Sequence, residues 1–466
     1  MKRLLATRRG LRKIWIALAS IFVVASAFLA IQFAIGVPGD QSTVDYAGVY
    51  SSSSSRPYNA SVSPIVSGDR TFTVEAWVKP NAAAVDDYMV VFGQALPTSG
   101  CPAGRFGIML NQPTDGASNF NVHVAIDNCG LFTSDFPVAA NQWSHIGVVV
   151  NDNNTKVYVN SFLIWDGANN WGSIGAGAVV GSTVDSLHKF LGSMDQIKIW
   201  DSSLSQAQLV SSMHTSGTPA GMSGLRALFD FNEGSGDVVY NRVNTAEALT
   251  GSLVGRSDVK AITTSGAETI LSFPRSYLPG AGGWTPPSGI TKVKSLIVAG
   301  GGGGGGYADG GGGGAGGVID HQQLSVSGAT KITVGQGGYG GKNEASDLNH
   351  GLNGQDSFVG SVQAIGGGGG GGYGYPNYIN RAKGYAGGSG GGHAEYDSNT
   401  YGSLGNAAST QTTDGTTYAN ATEYGNSGGG IGTATQAGSG GGGALALASS
   451  VVRTGGSGAP GIVIIE

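Results

Sequence analysis

Cysteine is nearly missing from this chain, with 2 in 466 residues, and charge is scarce, at 12% of residues with a net charge of -5. The first shortage excludes a small disulfide-stapled fold. It also leaves a zinc site without ligands, because two thiolates with no adjacent His pair cannot complete a tetrahedron. The second excludes a strongly basic surface, so no nucleic-acid partner is expected. The 7 histidines are scattered and none falls into a Ser/His/Asp arrangement. The best phosphate-loop candidate, Gly340-Gly341-Lys342, is followed by Asn343 where magnesium binding needs Ser or Thr.

Side chains are themselves absent over much of the last two-fifths of the chain, where uninterrupted runs occupy Gly300 to Gly306, Gly310 to Gly314 and Gly366 to Gly372. Glycine loses more conformational freedom on folding than any other residue, so such runs are either left loose or ordered by backbone hydrogen bonds alone. A flexible linker is the common fate of such sequence. Against it stand the bordering segments Ile290 to Val298, Ala329 to Val334, Ser361 to Ile365 and Gly461 to Ile465, which are β-branched, partly alternating and bounded by glycine, as strands are. The runs are therefore expected to form extended, left-handed, three-residue-per-turn helices side by side, with neighbours satisfying one another's N–H and C=O groups.

The stretch Ser288 to Glu466 resembles the bacterial and phage glycine-rich domain. The likeness is carried by Lys292-Val-Lys-Ser-Leu-Ile-Val-Ala-Gly-Gly-Gly, Ile332-Thr-Val-Gly-Gln-Gly-Gly-Tyr-Gly-Gly341 and the closing Gly456-Ser-Gly-Ala-Pro-Gly-Ile-Val-Ile-Ile465. It is also similar in composition to phage tail-fibre adhesin tips built as a polyglycine sandwich, in which connecting loops do the recognition.

The one long apolar run, Ile14 to Ile35, follows Lys2, Arg3, Arg8, Arg9, Arg12 and Lys13. It exceeds the roughly 20 residues that cross a bilayer, and its basic flank is expected to stay in the cytoplasm with the remainder outside. An uncleaved membrane anchor over residues 1–36 is the favoured reading. Its rivals are a signal peptide cleaved after Ala25-Ser-Ala27 and a pilin-like leader ending at Gly10, the latter lacking the usual glutamate because Trp15 stands there. Residues 37–57, with Pro38-Gly39 and Ser51 to Ser55, read as a stalk.

From Thr71 onward the pattern is all-β. Apolar and polar residues alternate in Thr71 to Val78, Phe120 to Ile126 and Lys156 to Val159, and Asp152-Asn-Asn154 supplies a tight turn. Only Leu204 to Met213 has helical spacing, with Ser203 or Ser205 as its cap. Residues 58–265 resemble the laminin-G-like, concanavalin A-like jelly roll through Phe72 to Pro80, Trp143 to Val148, Phe190 to Ser205 and Gly224 to Gly236. That resemblance implies a β-sandwich in which Trp77, Trp143 and Trp200 are core and Asp195 caps a turn. Pentraxin relatives bind calcium through an acidic loop before the strand matching Phe190-Leu-Gly-Ser; only Asp185 matches here, with backbone carbonyls and the nearby Asp86, Asp87 or Asp127 as candidates to complete a site. One carboxylate is poor support for a cation that takes six to eight oxygens. Glycosidases of this fold carry Glu-x-Asp-x-x-Glu, a spacing absent from the chain, so no enzyme activity and no cofactor are expected. Residues 266–287 read as a linker to the glycine-rich domain, 288–466.

Cys101 and Cys129 flank two strand-like segments joined by Pro113-Thr-Asp-Gly116. A hairpin centred on Asp115 puts them at equal distances at its open end, and a disulfide there suits an oxidising compartment. The candidate ligand contacts are Tyr373, Tyr375, Asn377, Tyr378, Arg381, Tyr385, Tyr396 and Tyr401, a Tyr/Asn mixture typical of binding loops. An equal alternative is that these tyrosines only shield glycine backbone from water.

The expectation is an all-β, surface-anchored or secreted extracellular adhesin, held to a membrane through residues 14–35 and binding a glycan or surface-protein ligand. The alternative is a structural part of an envelope, appendage or fibre that self-associates as a homo-oligomer through its glycine-rich domain.

Overall fold

The computed structural model describes residues 45–372 except 52–56, 60, 67, 82–87, 97–103, 112–118, 127–129, 169–173, 252, 266–267, 280–282, 308–309 and 343–348; beyond these it describes 383–392, 395–397, 400–401, 411–413, 416–418 and 455–466. The membrane-anchor, signal and leader readings of residues 1–36 fall outside this set. Among the described residues no helix is long and apolar enough to cross a membrane.

The described protein is all-β with one short helix. Two antiparallel sheets face each other. One runs Phe162–Ala168, Asn154–Val159, Ser144–Asn151, Thr71–Pro80, Gly192–Trp200, Tyr46–Tyr50 and Gly255–Asp258 in spatial order, with Leu225–Phe229 also on Gly192–Trp200. The other runs Val238–Tyr240, Ala248–Thr250, Tyr58–Asn59, Ala178–Val180, Met89–Gln94, Phe106–Asn111, Asn119–Ile126 and Gly130–Ala139. Period-two alternation sends Phe72, Val74, Ala76 and Val78 into the space between the sheets with Ile146, Val148, Val150, Phe106 and Ile108. Asp152 takes φ of 52° in the turn that joins Ser144–Asn151 to Asn154–Val159, as Asp tolerates. The segment expected as a stalk contains Tyr46–Tyr50, paired between Gly192–Trp200 and Gly255–Asp258.

The opposite face of the first sheet is covered rather than solvated. The helix Gln206–Met213 lies there, started by a capping box between Ser205 and Gln208. Its Leu209 packs with Val149, Tyr158 and Trp200, and a Cβ on Gly147 would stand 3.1 Å from a Leu209 methyl.

The segment expected as a linker is also structured. Glu268–Phe273 lies between Ala261–Ser265 and Ile462–Ile465 in a five-stranded sheet completed by Lys292–Val298 and Val318–Ser325. Beyond it Leu278 packs among Trp77, Trp143 and Met213 on the covered face of the sandwich. A fourth, three-stranded sheet joins Ile332–Thr333, Ser357–Val359 and Val362–Ala364.

From these strands the chain passes repeatedly into glycine segments bonded with a period of three. Gly300, Gly303 and Gly306 donate to the carbonyls of Gln355, Leu352 and Asn349; Gly301 and Gly304 donate to Ala459 and Gly456; Gly302 and Gly305 donate to Gly314 and Gly311. In return Gly300 and Gly303 accept from Gly367 and Gly370, and Gly301 and Gly304 accept from Gly338 and Gly341. One chain is thus surrounded by five others through backbone alone. Residues 41–466 form one compact unit.

Candidate binding site

The bonding pattern fixes direction. Residues 300–306 run antiparallel to 311–317, 349–355 and 455–461, and parallel to 335–341 and 366–372. Residues 307, 310, 342, 349, 372, 383, 392 and 455 therefore all lie at one end of the array, opposite the strands. Loops gathered on a rigid base are where recognition surfaces are commonly built.

Of the eight expected contact residues, Tyr385 is the one whose side chain is described. It is 41% exposed, and its ring lies 5.1 Å from that of His350. Its backbone is fixed in the array, donating to Gly369 and accepting from Gly391 at 2.8 and 2.9 Å. Tyr396 and Tyr401 belong to the paired strands Glu395–Asp397 and Thr400–Tyr401. Tyr373, Tyr375, Asn377, Tyr378 and Arg381 lie outside the described residues. His350 escaped the sequence reading, and Lys342 was weighed there only as a phosphate-loop lysine. Their signal was positional, since each adjoins the end of a glycine segment as Tyr373 does.

The cysteine pair also lies outside the described residues, as do 112–118, but the two strands between its members are described. Phe106 pairs with Ile126 and Asn111 with Asn121, which centres the hairpin on Gly116, one residue beyond the expected point. Asp185 is exposed in a turn closed by Thr183, whose hydroxyl accepts from the Leu187 amide at 3.1 Å. Among the described residues no group of three or more His, Cys, Asp or Glu is placed to hold a metal; Asp86, Asp87 and Asp127 lie outside them.

Two charge networks are buried here, one joining Arg275 of the segment before the glycine array to the sandwich and one lying within the sandwich. Asp195, expected as a turn cap, accepts from the Gln196 amide at 2.6 Å and meets the Arg275 guanidinium. Arg275 also lies 3.4 Å from Asp45 and stacks on Trp143 and Trp77 at 4.8 and 5.4 Å. Burial and the neighbouring Asp45 charge hold the Asp195 carboxyl well above its ordinary range, with Arg275 opposing. Burial likewise raises Asp45 against the pull of Arg275. In the second network Glu75 accepts from Trp200 Nε1 at 2.6 Å and from Ser212, and lies 3.0 Å from His145 Nε2. Burial pushes Glu75 up, but the bonds from His145 and Ser212 and the charge of Lys198 outweigh it, leaving the carboxyl below its ordinary value. Both networks are closed to solvent and position elements rather than meet a ligand.

Residues 53–210 match the family model described as the concanavalin A-like lectin/glucanases superfamily, and residues 277–466 match the glycine-rich domain. The chain thus carries a region that matches the laminin-G-like, concanavalin A-like family, followed by one that matches the glycine-rich domain. A candidate carbohydrate-binding protein of Bacteroides ovatus is similar at 16% identity and a TM-score of 0.35, over 46% of this chain and 59% of its own length. The heptameric SAP-like pentraxin of Limulus polyphemus is similar at 16% identity and 0.29, over 36% of this chain and 82% of the pentraxin. The IT-sialidase CBM40 of Ruminococcus gnavus is similar at 14% and 0.28, over 36% of this chain and 97% of that module. A comparison with curated protein sequences gives no match.

Proposed function

We propose that this protein is a non-catalytic extracellular adhesin: a glycan-binding module held at the cell surface through residues 14–35, with its recognition surface on the loop end of the glycine array. The glycine segments act as packed polyglycine helices, and the jelly roll is the base on which they stand. The observation that carries this reading is that the ends of the glycine segments, at residues 307, 310, 342, 349, 372, 383, 392 and 455, gather at one end of a backbone-bonded array, with Tyr385 and His350 at its edge. The lectin-type sandwich supports a glycan as the ligand. Rigid presentation of Tyr and Asn favours binding because little side-chain entropy is lost on contact.

A glycan-array screen of the full chain tests it, run beside a variant in which residues 373–382 are replaced by Gly/Ser of equal length. Selective glycan signals lost in the variant are expected; no selective signal from the parent chain, or equal signals from both, refutes the reading. A self-associating structural role has one observation in its favour, the open edge strand Ala261–Ser265 with Ile262 58% exposed. Concentration-dependent mass in light scattering decides that alternative.

A further inference from the structure

The strand Ala261–Ser265 forms one margin of the five-stranded sheet, bonded to Glu268–Phe273 and, among the described residues, to no other strand. It pairs without a register shift and contains no proline, glycine or charge. Those are the devices that keep outer strands from pairing with other chains. The opposite margin, Val318–Ser325, has them: Asp320 and His321 lie within it, and its register shifts between Val293 and Ser295 of its neighbour. Ala261 to Thr264 are all exposed. Ile262, 58% exposed, sits opposite Leu271, which packs against the core of Phe273, Ile297 and Val463, so apolar surface runs to the rim of the sheet.

Backbone bonding alternates along an antiparallel pair. Counted from the closing pair Ser265 and Glu268, residues 265, 263 and 261 bond inward, which leaves the amides and carbonyls of Ile262 and Thr264 directed outward. A two-fold axis at Thr263 sets Ile262 against Thr264 of a second copy and Thr264 against its Ile262, so every outward amide finds a carbonyl. Thr263 then meets its own twin, a favourable cross-strand pair, and no like charges are opposed. We propose that Ala261–Ser265 is a homodimer interface, at which two copies of this chain pair these strands antiparallel about Thr263 and merge their five-stranded sheets. A second copy fits better than a foreign strand because the same patch supplies both halves of the bonding pattern. Pairing occupies this margin in both copies, so growth stops at two, unlike the fibre alternative above. The proposal does not draw on the glycan reading.

Sedimentation of the full chain in detergent solution, from micromolar to millimolar concentration, should show a mass that rises to twice that of the monomer and stops. Thr264→Pro removes an outward N–H and spares the inward bonds, so it should keep the parent melting temperature and raise the dimer dissociation constant roughly tenfold, from one lost bond in each copy. Ile262→Lys, a charge at the same rim, should weaken the dimer likewise. In the pair the two Thr263 Cα atoms stand about 4.5 Å apart, within disulfide reach, and the two Ala261 Cα atoms about 14 Å apart. Mild oxidation should therefore crosslink Thr263→Cys into dimers and leave Ala261→Cys at the level of the parent. Equal crosslinking of the two, a mass that climbs past two copies, no dimer at millimolar concentration, or a dimer indifferent to both Thr264→Pro and Ile262→Lys overturns the proposal. The glycan array decides the adhesin reading separately.

Discussion

Removing the Arg275 guanidinium while keeping its packing volume, as in Arg275→Met, leaves Asp45 and Asp195 facing each other in a site closed to water. All three side chains are fully buried. Breaking a buried ion pair by deleting one partner is destabilising by about 3 to 5 kcal/mol, because a charge is left uncompensated. An independent bound comes from protonation: neutralising one carboxyl of ordinary pKa 3.8 at pH 7 requires about 1.4 kcal/mol per pH unit, or about 4 kcal/mol. This second figure is an upper limit on the loss, because the Asp195 carboxyl is already raised in the parent. The sign with pH follows. A carboxyl raised in the folded state binds more protons there than in the unfolded chain, so stability falls as pH rises from the ordinary value towards the folded one. Without Arg275 that rise is larger, and the loss should shrink to about 2 kcal/mol at pH 5. Urea unfolding of parent and variant at both pH values measures it. Asp195→Asn added to Arg275→Met should restore part of the lost stability. A loss below about 1 kcal/mol at pH 7, or one equal at both pH values, refutes the buried-charge account.

Gly303→Ala should destabilise the array by about 3 to 6 kcal/mol, from backbone overpacking and weakened hydrogen bonds. A Cβ there would stand 2.7 Å from the Gly340 nitrogen and nearer still to the Tyr339 carbonyl. Gly255→Ala, where a Cβ meets nothing within 4 Å, is the melting control and should change little. His123 and His214 are held neutral by burial, with pKa values lowered from 6.5 to about 4 and about 3. The unfolded chain takes up protons below pH 6.5 that the native state refuses, so stability should fall on acidification from about 6.5 to 3, and His214→Gln should flatten the urea-midpoint profile. Mass mapping of the secreted, unreduced protein should find Cys101 joined to Cys129, a link worth about 2 to 4 kcal/mol; two free thiols would remove it.

The sandwich was legible because its strands alternate. Thr71 to Val78 states its inner and outer faces in the order of its residues, and Ser205 with Gln208 marks the helix start. The route of residues 266–287 was not legible. Glu268–Phe273 is short and only partly buried, and its partner Ile462–Ile465 lies nearly two hundred residues away, so no local pattern announces the pairing. Arg275 reads as a lone charge in sequence; its role depends on Asp45 and Asp195, brought to it by register. Glycine carries no facing information, so the direction of each run, and hence the end from which the loops leave, came only from bonds such as Gly303 to Leu352.

Native-state amide hydrogen exchange of the full chain, read at Gly302, Gly305, Gly367 and Gly370, tests the scaffold most directly. These amides donate to Gly314, Gly311, Gly300 and Gly303 at 2.7 to 2.8 Å. Protection comparable to that of the Lys292–Val298 amides is expected if the runs open only with the domain that holds them. Exchange at the rate of an unstructured peptide would show the glycine runs to be linker, and would leave the loops without a rigid base.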